Sequence, residues 1–190
     1  MHRIYFREMF PEIQSALRLD KYTVENKRIN IVQEPSTDAS FLIHHFTSLA
    51  VKSNCNILII AFEQTIGHFH GVGMKLGYDL LKLQKKGQVI FHDALYDVHN
   101  SYISDSNCSD NDNIFDSCSN FKPNVVRLLN AIEQKIGQFE HKSRPLVVIM
   151  DKLSLLLSIG AKFSSVINLL INLQTLVKDK NGTLGRIQKR

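Results

Sequence analysis

Eight residues, Glu34 to Phe41, stand where a phosphate-binding turn would do its chemistry. A turn of the form G-x-x-x-x-G-K-[ST] cradles polyphosphate in main-chain N–H groups, adds a lysine charge and gives magnesium a hydroxyl. Here Glu34 and Ala39 hold the glycine positions, Ser40 the lysine position and Phe41 the hydroxyl position. Glu34 sets negative charge beside the phosphate, and Ser40 supplies no positive charge. Phe41 offers no oxygen to a metal that prefers hard oxygen ligands. Further along, Asp151 closes the apolar run LVVIM, the layout in which a strand-terminal carboxylate reaches magnesium. The frame for nucleotide chemistry is present with its reactive parts replaced. No catalytic residue, nucleotide ligand, metal ligand or cofactor is therefore assigned.

The other reactive side chains fall short of a site. His44 and His45 are adjacent on an expected helix, about 100° apart, and cannot easily chelate one ion; they read as surface or subunit-contact histidines. His68-x-His70 has strand-type metal spacing, but no third ligand is evident and the surrounding glycines point to a loop. Gly71, Gly73 and Gly77 miss the G-x-G-x-x-G dinucleotide pattern because Leu76 takes the last position. Cys55, Cys108 and Cys118 have no metal-ligand spacing and read as free thiols. The acidic stretch containing Asp105, Asp110, Asp112 and Asp116 lacks the D-x-[DN]-x-[DN]-G pattern of a calcium loop.

Alternating apolar runs and amphipathic stretches predict the elements that would position these residues, an α/β sheet in one domain. A short helix runs from Pro11 to Leu19, and Ile29 to Gln33 form the first strand. Leu42, Phe46 and Leu49 mark the buried stripe of the following helix, with His45, Ser48 and Lys52 on its outer face and Asp38 or Ser40 as its cap. NILIIAF, GQVIF and LVVIM are short apolar runs suited to parallel strands covered on both faces. Gly77 ends one helical piece, and Asp79 to Lys86 form another. Val125, Leu129, Ile132, Ile136 and Phe139 line a further helix, and Lys162 to Val177 predict one so apolar that it should be buried on nearly every side. The expected division is residues 1–22 as an extension with a short helix, 23–177 as the domain, and 178–190 as a basic tail without a strand. Within the domain, residues 97–120 form an acidic Ser/Asp/Asn-rich loop.

At 190 residues, 44% hydrophobic and 22% charged, the composition is that of an ordinary globular protein, with a formal charge of +5. No apolar run reaches the roughly 18 residues of a membrane span, and MHRIYFREMF is a poor signal peptide. The basic end could attract nucleic acid, but it lacks the interleaved aromatics that stack on bases.

LIIAFEQTIGHFHGVGMKLGYDLL resembles the segment after the second core strand of RecA-like ATPases, and VVIMDKLSLLLS resembles their Mg-binding strand. In that comparison Glu63 falls near the catalytic carboxylate. TDASFLIHHFTSLAVKSNC, GMKLGYDL, GQVIF and MDKLSLLLSIG together resemble a degenerate branch, the sixth-subunit family of the Elongator complex, over roughly Met9 to Val177. The resemblance implies a RecA-like three-layer α/β/α sandwich with a mostly parallel sheet and a degenerate phosphate turn. It implies assembly with two paralogous RecA-like Elongator subunits in a hetero-hexameric ring, attachment to the rest of the complex, and binding of tRNA through the assembled ring. The activity served would be modification of the tRNA wobble uridine, catalysed in another subunit, in the cytoplasm and also the nucleus. Residues 1–8 look like an upstream addition, and KDKNGTLGRIQKR departs from the family where further strands are expected. A truncated form would leave an open sheet edge and bare apolar helix faces. The alternative reading is an active ATPase or recombination mediator using Glu63 and Asp151, with Lys52 or Lys75 replacing the missing lysine.

Overall fold

Five short strands form the sheet, of which β2 and β4 are nearly continuous apolar runs: β1 (Arg28–Gln33), β2 (Asn56–Ala61), β3 (Val89–Asp93), β4 (Leu146–Lys152) and β5 (Thr183–Lys189). The structure is a computed structural model describing residues 11–16, 28–33, 39–94, 96–97, 125–141, 143–179 and 182–189. The strand order is β1-β5-β4-β2-β3, and every pairing is parallel. Seven helices are described: α1 (Pro11–Ala16), α2 (Phe41–Lys52), α3 (Ile66–Lys75), α4 (Leu80–Lys85), α5 (Val125–Gly137), α6 (Ser154–Ser158) and α7 (Phe163–Asp179). The expected acidic loop lies almost entirely outside the described residues, as do Cys108 and Cys118.

Alternation along β2 and β4 builds two cores, because successive strand side chains face opposite ways. Leu58, Ile60, Val148 and Met150 pack with buried residues of α5, α6 and α7. Ile57, Ile59, Val147 and Ile149 pack under α2, α3 and α4. The result is the RecA-like α/β/α sandwich. Gly77, at φ +82°, ends α3 as expected, since a left-handed residue just past a helix suits glycine. Asp79 caps α4 by accepting from Lys82 N–H at 3.0 Å.

Four expectations change. First, within the stretch 178–190 read as a basic tail, Lys178 and Asp179 end α7 and Thr183–Lys189 form β5, an interior strand hydrogen-bonded to β1 on one side and β4 on the other. It separates the strand before the phosphate-type turn from the strand that carries Asp151. Second, His68 and His70 lie in helix α3, not a loop; Thr65 caps that helix, accepting from His68 N–H at 3.3 Å. Third, α2 buries His44, His45 and Ser48, while Leu42 and Phe46 are only partly covered. Small residues let the helix settle close to the sheet, and Thr47 Oγ1 donates to the Ile43 carbonyl at 2.8 Å. Fourth, α7 is covered on one face only. Val166, Leu169, Leu170, Leu173 and Val177 are buried, whereas Phe163 is 65% and Ile171 53% exposed. It lies in an outer layer, so the sheet and α5 cover one side and no described element covers the other. Among the described residues, no helix is long and apolar enough to cross a membrane.

Candidate functional site

In a parallel sheet of this kind, ligands bind beyond the carboxyl ends of the strands. That rim carries the turn before α2, the β2–α3 turn and Asp151. Glu34 and Asp38 lie outside the described residues. Ala39 is half-buried, and Ser40 stands at the N-cap with helical φ of −59° and no side-chain capping bond. Phe41, the first residue of α2, is 54% exposed.

Asp151 is held inside the protein. It is 4% exposed, and it lies at a register irregularity between β4 and β5, where Met150 faces Arg186 and Lys152 faces Ile187. A bulge of this kind re-aims the side chain of the extra residue. The Asp151 carboxylate accepts from three consecutive main-chain N–H groups just past β2. Oδ1 takes Phe62 at 2.7 Å, and Oδ2 takes Glu63 and Gln64, each at 3.0 Å. The Lys152 N–H also donates to Oδ1. Charge-assisted bonds to backbone N–H are among the stronger hydrogen bonds in a protein. Here they fasten β4 to the β2–α3 turn. Glu63 projects from that turn and pairs with Lys152.

The lysines considered as substitutes stand elsewhere. Lys52 and Lys75 are the last residues of α2 and α3. At 1.5 Å per residue, α2 carries Lys52 roughly 17 Å from the turn where it begins.

The histidines come together in a way their spacing does not reveal. The His44 ring, 7% exposed, lies with its centroid 5.2 Å from that of His68 and 4.9 Å from that of Phe69. Burial, with a smaller contribution from His68, pulls His44 down to about 4. Burial first, then Lys52, also lowers His45. His70 Nδ1 lies 3.7 Å from Asp79 Oδ1. Among the described residues, no group of three His, Cys, Asp or Glu side chains could hold a metal. Cys55 is buried and free, and burial pushes its thiol up to about 12.

A pH dependence follows from His44. Above pH 6.5 it is neutral in both folded and unfolded chains. Between 6.5 and about 4 the unfolded chain binds the proton more readily, so stability falls as pH drops through this window. The expected loss is on the order of 2 kcal/mol. His44→Gln should reduce the slope in urea titrations at pH 7, 6, 5 and 4.5, leaving the part due to His45 and His92. An unchanged slope would remove His44 from this role.

A model of the family described as Elongation complex protein 6 matches residues 10–186. The chain is similar to Elongator complex protein 6 of Danio rerio, with 28% identity over 160 residues, covering 84% of this chain and 60% of that protein. The Xenopus tropicalis protein of the same name is 30% identical over 155 residues, covering 80% and 57%. The Homo sapiens protein is 34% identical over 87 residues, covering 46% and 33%. The chain thus matches about three-fifths of the zebrafish relative's length.

Proposed function

Because the chain belongs to the Elongation complex protein 6 family, we propose that it is a non-catalytic structural subunit of the Elongator complex. In this reading it joins two paralogous RecA-like subunits in a hetero-hexameric ring. The ring binds tRNA and serves modification of its wobble uridine, while the chemistry is carried out by another subunit.

The observation that carries the non-catalytic reading is the engagement of Asp151. A carboxylate in this position serves magnesium by leaving oxygens for the ion's water shell. Here both oxygens accept main-chain N–H groups across the sheet, and the nearby Glu63 is neutralised by Lys152. Nothing described at the turn before α2 replaces the phosphate-binding lysine. Support for assembly comes from α7, whose residues from Phe163 to Val177 include no charge while Phe163, Ile167 and Ile171 stand exposed. Charge-poor apolar surface is the composition of an interface core.

Two measurements test the reading. Isothermal titration of the chain with Mg-ATP is expected to show no binding; micromolar binding lost in a folded Asp151→Asn variant, together with release of phosphate, would instead favour the ATPase alternative. Affinity purification of the tagged chain from cells is expected to recover two RecA-like Elongator subunits in equal stoichiometry. A homogeneous monomer with no affinity for them would overturn the assembly.

A further inference from the structure

α3 and α4 pack against each other on the sheet face opposite α5, α6 and α7. Lys75 ends α3, Lys82 and Lys85 lie in α4, and Lys86 follows it. All four are exposed. Lys82, Lys85 and Lys86 are spaced i, i+3, i+4, which groups them on one side of the helix with neighbouring Cβ atoms roughly 5–6 Å apart.

These charges are not neutralised within the fold. Asp79 is the only carboxylate between Ile66 and Gln88, and it is committed to the α4 cap, with His70 Nδ1 3.7 Å away. Glu140 lies against Gly87 just past α4 yet forms no ion pair with Lys86. Among the described residues, none of the four lysines enters an ion pair. The helix dipole accounts for Lys75 and Lys85, each of which ends its helix. It does not account for Lys82, whose own N–H is capped by Asp79 at the start of α4.

The surface suits a polyanion. Lysine binds phosphate as a point charge, whereas protein interfaces are depleted in it. Phe69 and Tyr78, the Phe and Tyr of this stretch, are buried, so no such ring is offered for a base to stack on. Contact through phosphate alone positions a nucleic acid without reading its sequence.

We infer that the α3–α4 surface, through Lys75, Lys82, Lys85 and Lys86, holds the sugar–phosphate backbone of RNA. This rests on the tRNA-binding part of the reading above and gives it a location. α7 and the lysines lie in opposite layers of the sandwich, so a subunit docked on α7 leaves the lysines open to RNA.

Fluorescence anisotropy with a labelled tRNA transcript tests this on the chain in the assembly with which it purifies, between about 50 and 200 mM salt. Lys82→Gln/Lys85→Gln should lower the slope of log affinity against log salt by about 2, and weaken two unrelated tRNA sequences alike. Lys162→Gln/Lys178→Gln removes the same charge from the opposite layer and should leave the slope unchanged. An unchanged slope in the first pair, or an equal fall in both pairs, overturns the surface and leaves tRNA binding by the assembly standing. Loss of partner subunits from Lys82→Gln/Lys85→Gln also overturns it, because the lysines would then belong to a protein contact. No tRNA binding by the unaltered assembly overturns this surface and the tRNA reading together.

Discussion

Deleting residues 183–190 is expected to abolish the cooperative unfolding transition altogether. They include β5 (Thr183–Lys189), whose two flanks are hydrogen-bonded to β1 and β4 over most of their length. Removing them would leave β1 without a described neighbour and open the edge of β4. The buried Leu184 would also be lost from the core it shares with Val148, Leu173 and Val177. Typical domains are stable by about 5–15 kcal/mol, and the loss of an interior strand exceeds that range. Milder substitutions grade the effect. Leu184, 1% exposed, should cost about 3 kcal/mol when replaced by alanine. Gly182 precedes the strand where a Cβ would meet the Leu146 carbonyl oxygen at 2.3 Å and the Val177 Cγ1 at 2.9 Å. Gly182→Val should therefore displace the entry to β5 and destabilise at least as much. Urea denaturation followed by circular dichroism measures all three variants. If the segment were a solvated basic end, the deletion would leave midpoint and slope unchanged. The same geometry makes tail deletion unsuitable as an RNA-binding test, because unfolding alone would remove binding.

Replacing Asp151 by alanine is expected to destabilise the protein by about 3 kcal/mol. The three N–H groups of Phe62, Glu63 and Gln64 lose their acceptor together. The Phe62 N–H bond is buried, while those of Glu63 and Gln64 are partly buried. Water can reach the latter two, which keeps the cost below three full desolvation penalties. For a chain of this size the midpoint of thermal unfolding should fall by about 6–12 °C. Asp151→Asn retains one acceptor oxygen but turns an amide N–H2 toward the same donors, and should fall between wild type and alanine. A carboxylate kept for magnesium predicts the reverse in the metal-free protein, since removing a buried, unsatisfied charge leaves stability unchanged or improves it. Thermal unfolding of both variants without nucleotide separates the two roles, and an unshifted alanine variant would end the clamp interpretation.

The parallel α/β fold was readable because β2 and β4 are apolar on both faces, and a strand covered by helices on both sides needs that pattern. The helix ends at Gly77 and Asp79 were readable from local chemistry that works the same way in any surroundings. α7 shows where periodicity failed. Its side chains are apolar around most of the circumference, and nothing along the chain indicates which side meets the sheet. The histidines show a related limit. His44 and His68 are 24 positions apart in the sequence, and their approach depends on α2 and α3 packing on the same sheet face. Signals for their burial were present in the small residues Thr47, Ser48 and Ala50, which allow a helix to lie close to its support.

By itself, the sequence determined the loss of the phosphate-binding residues, the alternation of elements and the family to which the chain belongs, since each depends on residue type and local order. Only the tertiary structure decided that Lys178–Arg190 leads into an interior strand, because TLGRIQK carries too little apolar signal until β1 and β4 supply its hydrogen-bond partners. It also decided the work done by Asp151. A carboxylate at the end of a strand can hold a metal or a turn, and the choice is made by which donors reach it in space.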